Sequence, residues 1–286
     1  MTIASQAYLE PPLVSIFISC FNHQNYVVNS IQSVIDQKYE NIELLIIDDG
    51  SSDSSQDRIQ EISTICLSRF KRFEFFFQKN QGLSTNINQA LAWSKGKYFA
   101  TLASDDIYHP DKTCQLVDVL EEEEKIVAVF GGCNIIDADR KITNKIVPKE
   151  SYYTFDSILK REHQIIAPSQ LIRTQSIRDV GGYPEHLYIE DWYMWLALTK
   201  KNQKIKVISS KVVDYRMHAT NSSKDILKMH KGRLDILEIF KESQFFELSK
   251  AKVLLGTAIE LSWLDKKQSF YFCLSAIKSS TKIFTL

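Results

Sequence analysis

Apolar and polar positions fall into alternating blocks along the first half of the chain. The runs Leu13 to Ser19, Ile42 to Ile47, Phe73 to Phe77 and Tyr98-Phe99-Ala100-Thr101-Leu102 are rich in branched and aromatic residues and have the length of strands. Between them, Tyr26 to Gln37 sets Val27, Val28, Ile31, Val34 and Ile35 at helical spacing, and Ser54 to Phe70 does the same with Ile59, Ile62, Ile65 and Cys66. A third helix, Thr85 to Trp93, follows Gly82-Leu83-Ser84, and Lys95-Gly96-Lys97 turns the chain into the fourth strand. This β-α-β-α-β-α-β order with short connections predicts an α/β fold. Its sheet should be Rossmann-like and mostly parallel, with helices on both faces.

The pattern is looser further on. Asp111 to Glu124 reads as a helix and Ile126 to Phe130 as a strand closed by Gly131-Gly132. Asn134 to Val147 reads as an irregular hairpin, Tyr152 to Glu162 as helical, and Ile165 to Ile172 as extended, with Pro168 pointing to an edge or loop-lining position. Gly181-Gly182-Tyr183-Pro184 is a turn before Tyr188 to Leu198, and Ile205 to Ile208 and Val212 to Arg216 are two short strands. Three amphipathic segments, Asp225 to Phe246, Leu248 to Trp263 and Lys267 to Phe284, complete the chain. The expected organisation is a catalytic unit over residues 1–222 and a helical extension over 223–286.

Two strands end in paired acids, Asp48-Asp49 and Asp105-Asp106. Side chains alternate along a strand, so neighbouring acids face different partners. Ligands of open α/β sheets bind outside the carboxyl ends of the strands. A helix cap is the competing reading for Asp105-Asp106, since His109-Pro110-Asp111 follows; a second acidic strand end favours a ligand site. There is no G-x-G-x-x-G after the first strand and no G-x-x-x-x-G-K-[ST] anywhere, so the loops that cradle phosphates in dinucleotide-dependent oxidoreductases and P-loop hydrolases are missing. Acids at strand ends would instead hold phosphates through a divalent cation, Mg²⁺ or Mn²⁺.

Composition narrows the picture further. The 286 residues are 44% hydrophobic and 24% charged, with zero formal net charge, which argues against broad nucleic-acid binding. The five cysteines are scattered without C-x-x-C spacing, which suits buried thiols in a reducing compartment. Met1 to Pro12 lacks the features of a signal peptide and no apolar run is long enough to span a bilayer. The expected location is cytoplasmic, with peripheral contact at the inner face of the membrane left open.

Read in order, VSIFISCFN (Val14 to Asn22), IIDDGSSD (Ile46 to Asp53), NQGLS (Asn80 to Ser84), GKYFATLASDD (Gly96 to Asp106), Glu190-Asp191 and YRMH (Tyr215 to His218) resemble the family 2 glycosyltransferases of GT-A fold. The resemblance covers Leu13 to Ser222. It implies an inverting enzyme that moves a sugar from a nucleotide-diphosphate donor, a UDP-sugar, to a hydroxyl of a glycan or lipid-linked acceptor in polysaccharide biosynthesis. Ser19 and Phe21 would line the nucleotide pocket, Asp49 would accept from the uracil N–H, and Asp48 lies beside it. Asp105 and Asp106 match a D-x-D-type motif, with Asp106 ligating the metal and Asp105 contacting ribose or sugar. Asp191 matches the general base, His218 would complete the metal or diphosphate site, and the neighbouring Arg216 would contact phosphate. Two positions depart from the pattern: Ile87 stands where many relatives have Arg, and Phe21 replaces the commoner Tyr.

A capped amphipathic helix is the competing reading of Glu190-Asp191. Two other functions compete with glycosyl transfer. A nucleotidyltransferase shares the acid-lined sheet but needs a basic Gly-rich loop after the first strand, which Ser19-Cys20-Phe21-Asn22 is not. A non-catalytic nucleotide-sugar-binding scaffold would not need Asp191. The C-terminal helices are expected to pack on the catalytic unit or form a homodimer; a contrasting role has Phe270, Tyr271, Phe272, Lys278, Lys282 and Phe284 resting on an anionic membrane.

Overall fold

Strand β1 (Val14–Cys20) lies inside the sheet of a computed structural model that describes residues 10–218 and 224–281. It pairs in parallel with β2 (Ile42–Asp48) and β4 (Tyr98–Ala103), and β2 pairs in parallel with β3 (Arg72–Phe77). The alternation of side chains explains why these strands read as continuous apolar runs. Val14, Ile16 and Ile18 enter one core with helices α1 (Val27–Ile35) and α2 (Ser55–Arg69). Phe17, with Leu45 and Ile47 of β2, enters a second core on the opposite face, against α3 (Leu83–Trp93). Both faces of the sheet are therefore covered.

Beyond β4 the topology becomes mixed. Strand β5 (Ile107–Tyr108) leads to α4 (Lys112–Glu122), followed by β6 (Ile126–Ile136), β7 (Ile142–Ile146), β8 (Ser151–Tyr153), α5 (Phe155–Leu159), β9 (Leu171–Arg173), α6 (Thr174–Asp179), α7 (Glu190–Thr199) and β10 (Lys204–Arg216). The order across the sheet is β3-β2-β1-β4-β9-β6-β10-β5, with β7 beside β6 and β8 beside β10. β9 is antiparallel to both β4 and β6, while β10 is parallel to β6.

Several expectations are corrected here. Gly131-Gly132 does not end a strand, because β6 runs through it. A Cβ at Gly131 would lie 2.7 Å from the Ser210 carbonyl oxygen, and one at Gly132 would lie 2.5 Å from that of Ile146, so close strand approach explains both glycines. The two short strands near 205–216 are one, bent by register shifts between Val207 and Lys211 and between Lys211 and Val213. The helix expected over Tyr152–Glu162 shrinks to α5, because Thr154 is its N-cap and Tyr152 and Tyr153 belong to the strand that pairs with β10. Pro168 sits in a 3₁₀ turn, Ala167–Ser169, which fits the loop-lining alternative, whereas the edge alternative fails because β9 after it is internal.

Helices α8 (Ile226–Ile239), α9 (Phe246–Leu261) and α10 (Lys266–Thr281) form the C-terminal part. Ile236 and Leu237 of α8 and Val253 of α9 join the second core, so these helices are continuous with the α/β body. The expected boundary between residues 222 and 223 falls in 219–223, and Lys282 and Phe284 in 282–286, all outside the described residues. No helix among the described residues is long and apolar enough to cross a membrane. All five cysteines are free thiols, with Cys20, Cys66 and Cys133 buried.

Candidate active site

The carboxyl ends of β1 and β4 open into a cleft of about 800 Å³. Its walls are laced together before any ligand enters. The Asn22 N–H donates to Ser51 Oγ at 2.7 Å, and Asn22 Oδ1 accepts from the Ser52 N–H at 2.8 Å. Asp48 closes its own turn, accepting from the backbone N–H and the hydroxyl of Ser51 at 2.8 and 2.7 Å. Asp49 points across to the third βα loop, where its two oxygens accept from the N–H groups of Gln81 and Gly82 at 2.8 and 2.9 Å. Gly50 must be glycine: its φ is +83°, and a Cβ would lie 3.0 Å from the Asn80 nitrogen. Asn22 and Asp49 thus fasten three loops into one rim.

Ser19, Phe21, Ile87, Asp106 and Asp191 all line this cleft, together with Gln81, Gly82 and Glu190. Phe21 is 47% exposed, a large apolar ring presented at the opening. Ile87 is buried and gives the cleft an apolar wall. Asp48, Asp49, Asp105, Arg216 and His218 are not among the lining side chains.

β4 ends at Ala103, so Asp105 and Asp106 lie in the turn after it rather than on the strand, and the turn, closed by the Asp106 N–H on the Ala103 carbonyl, sends them to different partners. Asp106 is 1% exposed and accepts from the backbone N–H of Arg216 at 2.8 Å. Burial, and then the charge of Asp105, push its carboxyl well above the usual range. Asp105 instead faces two histidines. Its Oδ2 lies 2.8 Å from His218 Nε2, and its Oδ1 lies 3.9 Å from His23 Nδ1. One ligand atom from each of His23, Asp105 and His218 falls within 4.8 Å of the others. The structure therefore brings His218 to Asp105, whereas the sequence reading joined it to Asp106.

His23 is the ligand-type residue that the sequence does not single out, because a lone histidine three positions beyond a strand carries no spacing signal. Its backbone is fixed by Ser55 Oγ at 2.9 Å and its Nδ1 lies 2.8 Å from Ser104 Oγ. Burial is the first effect on its imidazole and lowers it below the usual range, favouring the neutral form that ligates metals. The side chain of Arg216 is turned to the backbone: Nε donates to the Asp105 carbonyl and Nη1 to the carbonyls of Asp137 and Ala138, each at 2.8 Å. Its guanidinium carbon lies 4.7 Å from the centre of the Tyr26 ring, and that ring stacks on His218.

Across the cleft, α7 presents Glu190 and Asp191 in its first turn. Asp191 Oδ1 accepts from the Trp192 N–H at 2.5 Å. Burial raises the Asp191 carboxyl, and burial followed by the charge of Asp191 pushes Glu190 up to about 8. Trp192 and Trp195 lie inside the second core, which is why a carboxylate at this helix start is poorly solvated. Glu185, His186 and Tyr188 line the same side, where Lys228 Nζ of α8 lies 4.2 Å over the Tyr188 ring.

Residues 15–181 match the family model described as Glycosyl transferase family 2. The chain belongs to that family. Among curated relatives in the family, an uncharacterized glycosyltransferase of Rickettsia bellii is 31% identical over 226 residues, covering 75% of this chain and 31% of its own length. The chain thus spans less than a third of that relative. The Escherichia coli UDP-Glc:alpha-D-GlcNAc-diphosphoundecaprenol beta-1,3-glucosyltransferase WfgD is 28% identical over 233 residues, covering 81% of this chain and 87% of WfgD. Solved structures show the same GT-A fold. Staphylococcus aureus TarS 1-349 in complex with UDP-GlcNAc has a TM-score of 0.69 at 14% identity, covering 93% of this chain and 81% of that one. The mannosyltransferase PcManGT of Pyrobaculum calidifontis in complex with GDP-Man and Mn²⁺ has a TM-score of 0.65 at 11% identity, covering 96% and 79%.

Proposed function

We propose that the protein is an inverting, metal-dependent glycosyltransferase that moves a sugar from a UDP-sugar to a hydroxyl of a glycan or lipid-linked acceptor. One observation carries this reading: Asp106, in the turn after β4, and Asp191, at the start of α7, line the same cleft although the chain separates them widely. The nucleotide-sugar donor is supported by the complexes of TarS with UDP-GlcNAc and of PcManGT with GDP-Man, and the lipid-linked acceptor by WfgD, a glucosyltransferase of alpha-D-GlcNAc-diphosphoundecaprenol.

Ser19 and Phe21 bind the nucleotide, Phe21 by stacking on the base, while Asp48 and Asp49 hold the rim around it. Asp105 with His23 and His218 forms the metal set, and Asp106 holds the adjoining turn and faces the donor. Two imidazoles and a carboxylate suit Mn²⁺ better than Mg²⁺, which prefers oxygen ligands. A divalent ion held there supplies charge neutralisation for the departing diphosphate. Arg216 fixes the geometry of Asp105 and Asp106 from behind. Asp191 accepts the proton of the acceptor hydroxyl as that oxygen attacks, and its semi-dry setting raises its basicity. With a diphosphate as leaving group, a single base suffices. The nucleotidyltransferase alternative has no basic Gly-rich loop to draw on, and a pure binding scaffold leaves Asp191 without a task.

The test is UDP release from a panel of nucleotide-sugars with and without Mn²⁺. Asp191→Asn should keep donor affinity and lose roughly 10²–10⁴-fold in turnover. Full activity in that variant would remove the base assignment.

A further inference from the structure

The side of the cleft that carries Asp191 is rich in carboxyl groups, with Glu185 and Glu190 lining it as well. Lys228 of α8 stands on the same side, and among the described residues that line the cleft it is the one lysine or arginine. The donor diphosphate has its own counter-charge in a divalent ion held by His23, Asp105 and His218. A fixed cation on the Asp191 side suits a second anion, one that enters with the acceptor.

The position of Lys228 is set by packing. Its backbone N–H donates to Oδ1 of Asp225, the N-cap of α8, at 3.0 Å. One turn on, Gly232 lets α8 lie directly on the segment that leads into α7: a Cβ there would be 3.0 Å from Ile189 Cγ1 and 3.4 Å from Tyr188 Cβ. A spacing of four puts Lys228 on the helix face of Gly232, and its ammonium lies 4.2 Å over the Tyr188 ring. The contact of this ammonium among the described residues is that ring, not a carboxylate. Glu190 adds little negative charge at neutral pH, because burial and then Asp191 push its carboxyl up to about 8. Leu187 and Ile189, which flank Tyr188, and Met229, which follows Lys228, also line the cleft. A cation bordered by apolar side chains suits a phosphate esterified to a hydrocarbon chain.

We propose that Lys228 binds a phosphate carried by the acceptor, so that the acceptor class is a sugar joined through phosphate to a hydrocarbon chain rather than a neutral glycan. This rests on Asp191 as the base, because that assignment makes its side of the cleft the acceptor side. The ammonium holds the phosphate by a charge-assisted hydrogen bond while a hydroxyl of the attached sugar reaches Asp191.

The experiment is calorimetric titration of the 286-residue chain, saturated with UDP and Mn²⁺, with octyl phosphate and with octanol. Octyl phosphate is expected to bind and octanol is not. Lys228→Gln should weaken octyl phosphate binding roughly tenfold or more, the worth of one hydrogen bond to a charged group. Lys228→Arg should retain it, with UDP affinity and melting temperature unchanged in both variants. Acetylation of Lys228, read by peptide mass spectrometry, should be slowed by octyl phosphate and not by UDP with Mn²⁺ alone. The proposal is overturned if the parent does not bind octyl phosphate, or if the glutamine variant binds it as well as the parent. It is equally overturned if the glutamine variant loses UDP affinity, or if UDP with Mn²⁺ alone protects the lysine, since either result assigns Lys228 to the donor. None of these readouts uses turnover. Asp191→Asn should bind octyl phosphate like the parent, so failure of the base assignment shows in turnover and failure of the phosphate contact shows in binding.

Discussion

Nε2 of His218 sits 2.8 Å from Oδ2 of Asp105, joining positions 113 residues apart. The contact places an imidazole against a carboxylate at the sheet edge, with His23 on the other carboxylate oxygen. Asp105→Ala and His218→Ala should each weaken Mn²⁺ binding by more than about 10–100-fold, the usual cost of losing even an outer-shell partner. Mn²⁺ titration followed by electron paramagnetic resonance reads this without turnover. Parent-like Mn²⁺ affinity in both variants would sink the assignment.

Phe21 offers its ring to the cleft with no hydroxyl to direct it. If it stacks on the nucleobase, Phe21→Ala should cost about 1–3 kcal/mol in UDP affinity, and Phe21→Tyr should cost little. Calorimetric titration with UDP separates the two, and equal affinities of the alanine variant and the parent would exclude stacking.

Glu190 gives a pH dependence with a definite sign. Its carboxyl rises from 4.5 to about 8 in the folded protein, first through burial and then through Asp191. Between those values the folded state keeps a proton that the unfolded chain has released, so this group makes stability fall as pH rises from about 4.5 to about 8. Glu190→Gln should flatten that decline, leaving the contribution of Asp191, whose carboxyl is also raised by burial. Melting temperatures across this range, measured for both proteins, give the answer; parallel curves would show that Glu190 does not titrate as described.

The half of the fold that could be read from sequence is the half built from local units. Strands β1 to β4 are apolar runs separated by helices with one clear buried face, and the helix periodicity of Val27, Ile31 and Val34 is satisfied by the core they enter. Later elements lack such signals because distant partners define them. The Ser209–Lys211 stretch looks like a break until its bulge against β6 is seen, and Gly131-Gly132 looks like a turn until Ser210 and Ile146 press against it. The site follows the same rule. Ser19, Phe21, Asp106 and Asp191 were named from ordered motifs and meet in one cleft, whereas His23 joined Asp105 only through folding.

The three-residue strand β9 has a further consequence. It is the insert between β4 and β6, and its ladder with each is two residue pairs long: Tyr98 with Arg173 and Phe99 with Ile172 on one side, Ala128 with Ile172 and Val129 with Leu171 on the other. A growing chain can assemble β1 to β4 from neighbouring βαβ units at small entropic expense. The remaining strands must wait for much longer loops to close. The backbone N–H of Arg216 secures Asp106 across 110 residues, so this contact closes one of those long loops. Closure of the acid site therefore waits for β10, and a chain stalled before it would have the rim that Asp49 ties together but neither the Arg216 contact to Asp106 nor the His218 contact to Asp105.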